Sequence, residues 1–586
     1  MTCGLSDSRD AGFLSEASLW LHRRRPALIP QTAHVLEFFI AATLVNILDS
    51  DITETLVKMK PMKVHSVGSY SLSRREVLNS IVILGSGALL RPVHAQRTDT
   101  SVPAVIKGKL TDAATGELVA AKIRVVETDA GEEFMPAGAI RTMPKRTAAG
   151  SKHYFYARGS YEIAVPPGRY IVEVVRGICH EAAIEYTEVG AGITHVIDFK
   201  LALLLDMHAA GWHSGNTHTH YHLELDENPD DRLRMVPPAE ALDISVISYL
   251  VRNDSPYITN RYPIGRLPQF SSGGTIIDMG EEARNNKTFG DFGYGHCLFL
   301  NIPSAVEPVS TGLLSRSGNA PDFPTLSMLC EEVRRIGGTT VWCHNGGGME
   351  APVAVALGYV DAFNVGDGLD ADYERYYGLL NCGFHLPVSS GTDWWIYDHN
   401  RVFVQAPGTF TYESWISGLR AGRTFVSNGP LIEFTVNGQG PGATLQVTEP
   451  LKIRASALSR VPFERLEIVH DGEVIAQQTA IGQRHATIEH EVPVERGGWI
   501  AARVSGNART YAGFRVYAHS SPVYLRVAGT PFRRASAAGA FIDEIEDSKR
   551  FIRKSYKFAS QSDLALALGR FDAGRDSFIR LVSEGS

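Results

Sequence analysis

From about residue 100 the chain alternates apolar and polar residues. "VIKGKLTDAATGELVAAKIRVVET" holds two period-2 runs parted by the turn cluster TDAATG. "GSYEIAVPPGRYIVEVVRG" repeats the arrangement around Pro166, Pro167 and Gly168. Strands with one apolar face must bury it against another sheet, so residues 103–202 are expected to form a small β-sandwich. Nothing in them suggests catalysis.

The pattern changes near Gly211, where short apolar strands alternate with amphipathic helices. "LSMLCEEVRRIGG" places Leu326, Leu329, Val333 and Ile336 at helical spacing and closes on glycine. "TTVWC" follows as a buried strand with His344 at its end. A short helix "VAVALGY", a strand "VDAFNV" ending near Asp367, a helix "YERYYGLLNCGF" and a strand "LPVSSGTD" ending on Asp393 continue the series. Earlier, "ISVISYL" precedes Asn253 and Asp254, "TIIDMGEE" ends in Glu281 and Glu282, and "GHCLFLN" begins with His296 one residue in. This βαβα rhythm predicts a parallel sheet or barrel over residues 211–430. The polar residues fall at strand ends, where α/β barrels carry their active sites.

A third style begins at Leu431. "LIEFTVNGQGPGATLQV", "PFERLEIVHDGEVIAQQ", "GGWIAARVSG" and "SPVYLRV" read as strands and turns, so residues 431–528 are expected to form a second β-sandwich. Residues 534–584 read as helices, with Phe541, Ile545, Ile552 and Tyr556 on one stripe. The fold class expected is thus multidomain: a central α/β barrel-like domain between N- and C-terminal β-sandwiches, ending in short helices.

Composition narrows the partners. Of 586 residues, 44% are hydrophobic and 21% charged, which is ordinary for a globular protein. The net charge of −7 lacks the basic field of a general nucleic-acid binder, so no nucleic-acid partner is expected. Six scattered cysteines, with no CxxC, read as free thiols rather than a disulfide framework. The sequence leaves the oligomeric state open.

"SLSRREVLNSIVILGSGALLRPVHAQ" pairs Arg74 with Arg75, follows them with a short apolar stretch and ends on a small-x-small site at Val93 to Ala95. It resembles a twin-arginine export signal, so residues 59–96 imply the twin-arginine export machinery as a partner and a periplasmic or secreted location. Met59 and Met62 stand just before it, and residues 1–58 read as an extension upstream of the natural start or as a disordered segment. Neither apolar run near the N-terminus is long enough to span a bilayer, so no stable membrane anchor is expected.

The chemistry centres on "GNTHTHYH". On a strand, His218 and His220 point the same way, and both imidazoles can reach one ion. An HxH pair is by itself common, and solvated or core histidines read equally well. Glu282, His296, His344 and Asp393 strengthen the metal reading, because each stands at a strand terminus of the same region. A mixed histidine and carboxylate set suits zinc first, with manganese or iron as alternatives, over calcium or magnesium. His222, Glu224 and Asp226 read as a solvated loop or as supports for the ligands. Trp342, Trp394, Trp395 and Tyr397 read as core residues that could also line a pocket for an aromatic group.

Residues 211–430 resemble a PHP-superfamily metallohydrolase, and more narrowly the CehA/McbA family of carbaryl-hydrolase-like enzymes. The stretches that carry the resemblance are "GNTHTHYH", "GEEARNNKTFGDFGYGHCLFL", "VWCHNGGG", "VDAFNV", "SSGTDWW", "NRVFV" and "LRAGRTFVSNGP". Residues 103–202 likewise resemble a carboxypeptidase-regulatory-like domain. The resemblance implies His218 and His220 as ligands of a first metal, Glu282 as a shared carboxylate, His296 and His344 as a second site, and Asp393 as the closing ligand. The family's D-H after the second strand is replaced here by "LVRNDSP", and Trp395 stands where a histidine is usual, so one or two metal ions are expected.

The activity implied is hydrolysis of a carboxylic or carbamate ester, or a related amide-like bond, in a small-molecule substrate, aromatic ones included. Metal-activated water attacks the carbonyl. Asp393 or Glu282 orients the water or carries its proton. Arg401 and the backbone amides of Asn345 to Gly348 are candidate donors to the oxyanion. Arg401 reads equally well as a structural ion pair, and the glycines as a loop that needs positive φ. Two alternatives stand beside this reading. One is a PHP-type phosphoesterase, for which Arg401 and Arg423 are the candidate cations. The other is a non-catalytic periplasmic binding or glycan-interaction protein with a degenerate barrel.

Overall fold

The computed structural model describes residues 102–142, 152–221, 228–252, 257–272, 274–285, 292–315, 318, 320–393, 400–406, 408–530 and 534–584. The export-signal reading on Arg74 and Arg75 lies outside the described residues. So do His222, Glu224, Asp226, Asn253, Asp254, Trp394, Trp395, Tyr397, Asp398 and His399. The structure is multidomain and rich in strands.

Strict alternation builds the first layer. Ser160–Val165 buries every second side chain, and it pairs antiparallel with Ala104–Asp112, Ile106 opposite Ile163. A second sheet is organised around Ala120–Glu127, paired with Gly168–Val175. Ile106, Ile123, Tyr161, Ile163 and Val172 fill the space between the two sheets.

The central sheet is curled into a half-barrel. Trp212–Asn216 pairs parallel with Ile244–Tyr249, which pairs parallel with Ile276–Asn285. Gly295–Leu300 then runs antiparallel to both of its neighbours, Ile276–Asn285 and Thr339–Trp342. Beyond it, Thr339–Trp342, Ala362–Asn364 and Val388–Ser389 are parallel again. The expected parallel order is therefore interrupted by Gly295–Leu300, and Arg401–Gln405 and Gly265–Arg266 also pair antiparallel with their neighbours. Gly295–Leu300 is wholly buried, and side-chain periodicity reports the face a residue lies on rather than the direction of its strand. The curl brings the two ends of the series together: past the strand ends, His220 N donates to Asp393 O, and Asp393 N donates to His218 O.

Helices cover the outer face. Asn228 caps Pro229–Ala239 through its side chain, with proline at the first helical position. Leu326–Arg335 buries Leu326, Leu329, Cys330 and Val333. Thr411 and Ser414 form a reciprocal capping box on Tyr412–Arg420. Among the described residues the cysteines are free thiols.

The change of style at Leu431 is not a break in the sheet. Thr424–Ser427 pairs antiparallel with Arg515–Ser520, so the central sheet runs on into the C-terminal strands. Two long strands, Leu451–His470 and Glu473–Val492, meet at Asp471 and Gly472, both at positive φ, as a tight hairpin requires. The helices Ala535–Ser555 and Gln561–Glu584 pack together and onto the central domain. Phe541, Ile545, Ile552 and Tyr556 are buried, each contributing about 1.5–3 kcal/mol of apolar burial. Among the described residues no helix is long and apolar enough to cross a membrane.

Candidate metal centre

Six residues singled out in the sequence come together at one end of the curled sheet: His218, His220, Glu282, His296, His344 and Asp393. The reversed strand explains how His296 joins them. It is the second residue of Gly295–Leu300, and a strand running backwards presents its beginning at the edge where its neighbours end. In register, His296 lies opposite Arg284, two residues past Glu282.

The backbone is bent to bring the others in. His344 (φ 53), Asp367 (φ 51) and Asp393 (φ 67) all adopt the left-handed region just past a strand, uncommon for residues other than glycine, though aspartate and histidine tolerate it better than most. Gly391 lies directly on His218. A Cβ there would stand 2.5 Å from His218 Cβ, so only glycine allows the approach.

Glu282 divides the cluster into two halves. Its Oε2 lies 2.7 Å from His220 Nε2 and 3.5 Å from His218 Nε2. Asp393 Oδ1 completes this half at 3.5 Å from His218 Nε2 and 3.8 Å from His220 Nε2. The other oxygen, Oε1, lies 2.8 Å from His296 Nδ1 and 3.8 Å from His344 Nε2, and these two nitrogens are 3.1 Å apart. Glu282 is 2% exposed, and His218 and His220 are fully buried.

Hydrogen bonds behind the cluster set the direction of the ring nitrogens. His220 Nδ1 donates to Ser248 O (3.1 Å), and His344 Nδ1 donates to Asp367 O (3.1 Å). A carbonyl only accepts, so in the neutral rings Nε2 is the nitrogen left with a lone pair. His218 Nδ1 meets Asp367 Oδ1 at 2.9 Å, which aims its Nε2 in the same way. His218 Nε2 and His220 Nε2 then face each other at 2.9 Å. Two lone pairs at that distance repel unless positive charge lies between them. Glu282, Asp367 and Asp393 add three carboxylates to the same interior, and buried charges are stable only when paired or bound to metal. The donor set therefore fits a divalent cation in each half.

The electrostatics make the same demand. Burial works against charging His218, but Asp367, Cys343, Asp393 and Glu282 outweigh it and hold its pKa well above the usual imidazole value. Glu282 stays well below the ordinary carboxylate range, because His296, His218 and His220 overcome the penalty of burial. Burial and Arg284 push His296 down to about 3. Cys343 falls within reach of His218 and Asp367, but burial drives its thiol up and away from the thiolate a metal prefers.

Several expectations land elsewhere. Arg401 does not join the cluster: its NH1 donates to Glu240 O (2.8 Å), and NH2 lies 3.7 Å from the Glu240 carboxylate. Lys122 Nζ holds that carboxylate at 2.9 and 3.0 Å, and Tyr156 OH donates to it at 2.9 Å. Arg401 thus belongs to a buried ion-pair network under the N-terminal sandwich, not to an oxyanion site. Arg423 Nε donates to Gln405 O. Among the glycine-run amides, Gly346 N and Gly347 N are taken by Cys343 O and His344 O. Trp342 is fully buried and donates to Gly347 O, a core role. His385 stacks on Tyr524 at 3.7 Å.

Other residues enter that sequence reasoning passed over. Asp367 braces both His218 and His344, its Oδ2 also accepting from His344 N at 3.1 Å. Arg284 follows Glu282 by two residues on one strand, so it leaves the same face, and it is 6% exposed. Period-2 spacing in "GEEARN" was the signal available for it. Tyr257 and Phe292 flank the cluster, with ring centroids 5.5 Å from His220 and 5.2 Å from His296.

No protein-family model matches the chain, and no curated protein matches it. Among solved structures, the crystal structure of a β-glucuronidase from Bacteroides uniformis aligns at 10% identity, over 73% of this chain and 58% of that one, with a TM-score of 0.17. A superposition so loose carries no argument about fold or chemistry.

Proposed function

We propose that the chain is a metal-dependent hydrolase of the CehA/McbA type, its curled sheet a PHP-type barrel, cleaving a carboxylic or carbamate ester or a related amide-like bond. The observation that carries this reading is Glu282, shared between two donor groups whose imidazoles are turned toward it by Ser248 O and Asp367. His218, His220, Glu282 and Asp393 would hold one ion, and Glu282, His296 and His344 a second; the donor types favour zinc, then manganese or iron. When bound, such ions acidify water and polarise a carbonyl oxygen.

The chain's own groups do the rest. Asp367 and Ser248 O fix the orientation of the imidazoles. Asp393 is the most open of the six, with 13% of its side chain exposed, and its carboxylate takes up the proton lost by the attacking water. Tyr257 and Phe292 exclude solvent and give an aromatic leaving group a surface to pack on. In the same proposal, residues 59–96 direct the folded protein to twin-arginine export and a periplasmic or secreted location.

Arg284 favours a second reading, phosphoester hydrolysis, since it places a guanidinium beside the cluster where a phosphoryl group needs a cation. Purified protein should carry one or two equivalents of zinc, manganese or iron that are lost in His218→Ala/His220→Ala, and should cleave aryl esters or aryl carbamates. Cleavage of phosphate monoesters alone would replace the first reading with the second. Absence of any bound metal would sink both and leave the binding-protein reading.

A further inference from the structure

A second group of donors sits at the opposite end of the first central strand. His208 lies in the turn His208–Ala210 that leads out of the N-terminal sandwich. His213 is on Trp212–Asn216, and Asp243 stands just before Ile244–Tyr249. Five residues of extended chain, about 17 Å, part His213 from His218, so the two groups share a strand but no ligand.

The geometry is that of a cation site. Asp243 Oδ2 accepts from Ser214 N at 2.7 Å, which fixes the carboxylate. Its Oδ1 lies 3.0 Å from His208 Nε2 and 3.8 Å from His213 Nδ1, and His208 Nε2 is also 3.1 Å from Oδ2, so it faces both carboxylate oxygens. An ion at 2.0–2.1 Å from each donor in a tetrahedron separates neighbouring donors by about 3.3 Å, and the two observed distances bracket that value. His213 Nδ1 is buried and has no hydrogen-bond partner. Its ring is clamped between Phe410 at 3.9 Å and His208 at 4.9 Å, so it holds its aim without one.

A cavity of about 210 Å³ opens beside the group and gives it access to solvent. The charges lining that cavity are Asp112, Asp206, Asp243 and Arg176, and His180 also lines it. Arg176 hydrogen-bonds His180 at 2.9 Å, and burial with that neighbour pushes His180 down to about 3, leaving it neutral, so three carboxylates face the single charge of Arg176. The balance around the three donors is negative.

We propose that His208, His213 and Asp243 form a separate structural site for a divalent ion of the imidazole-preferring kind, such as Zn²⁺. The ion clips the segment joining the N-terminal sandwich to the first two strands of the central sheet. It stands on different residues from the catalytic proposal and holds whether or not that proposal does.

The test uses the full-length protein and Zn²⁺. His208 is largely exposed, so His208→Ala disturbs little; His208→Ala/His213→Ala is the stronger variant, with circular dichroism confirming its fold. One equivalent of Zn²⁺ should be lost in both, and should persist in His218→Ala/His220→Ala. Zn²⁺ should also slow hydrogen exchange across residues 203–211 in the unmodified protein and not in His208→Ala. Undiminished zinc content in the folded double variant, or exchange in residues 203–211 that Zn²⁺ leaves unchanged, overturns the proposal.

Discussion

Glu282 holds His220 with one carboxylate oxygen and His296 with the other, at 2.7 and 2.8 Å. One side chain therefore joins a histidine 62 residues earlier in the chain to one 14 residues later, on the neighbouring strand. Glu282→Gln keeps the shape but halves the acceptor capacity. It should lower bound metal in both halves together and cut hydrolysis by roughly 100-fold or more. Metal analysis beside steady-state kinetics checks this; loss confined to one ion would show that the carboxylate is not shared.

Asp367 touches His218 and His344 from behind. Asp367→Asn retains a polar group but not the charge. Metal affinity should fall by about 10–100-fold with the fold intact. Competition with a chelator measures the affinity directly, and an unchanged value would remove Asp367 from the working centre.

Arg401 should behave as a structural residue. Arg401→Met should leave the metal content unaltered; Lys122 still pairs with Glu240, so the expected loss of stability is that of the hydrogen bond to Glu240 O, about 1.5–3 kcal/mol. Urea unfolding gives the second quantity. A large fall in activity at full stability would return Arg401 to the site.

His519 tests the pH dependence far from the cluster. It is fully buried, with Nε2 2.8 Å from Tyr377 OH, and burial pushes it down to about 3. Unfolded, it titrates near 6.5, so below that pH the unfolded chain takes up a proton that the folded chain refuses. Its contribution is complete above pH 6.5 and declines as pH falls toward 3. At pH 4.5 the loss is about 2–3 kcal/mol. His519→Gln should flatten the stability profile between pH 6.5 and 4.5, as followed by thermal unfolding.

His344 and Asp393 were legible because short buried strands with polar residues past their ends are visible in any sequence window. His296 was legible as a residue near a strand, but its role depended on a reversal that side-chain periodicity does not reveal. Asp367 was hidden for another reason. It reaches the cluster through a left-handed turn after "FNV", and no periodicity extends into a turn. Arg401 opens a strand buried on both faces, so alternation offers no clue to which side its guanidinium leaves. The helical stripe of Phe541, Ile545 and Ile552 was readable because a helix with one wet face must show its period, whereas Tyr556, expected on the same stripe, stands just past the helix end with extended backbone.

The pairing of Thr424–Ser427 with Arg515–Ser520 has a consequence during synthesis. When the last strand of the central sheet leaves the ribosome, its partner is still roughly ninety residues away. At ordinary elongation rates the edge waits some 5–20 s, open to any passing strand. The nascent chain cannot be finished domain by domain in order. Whatever guards that edge, chaperone or slow collapse, must act until Ser520 has emerged.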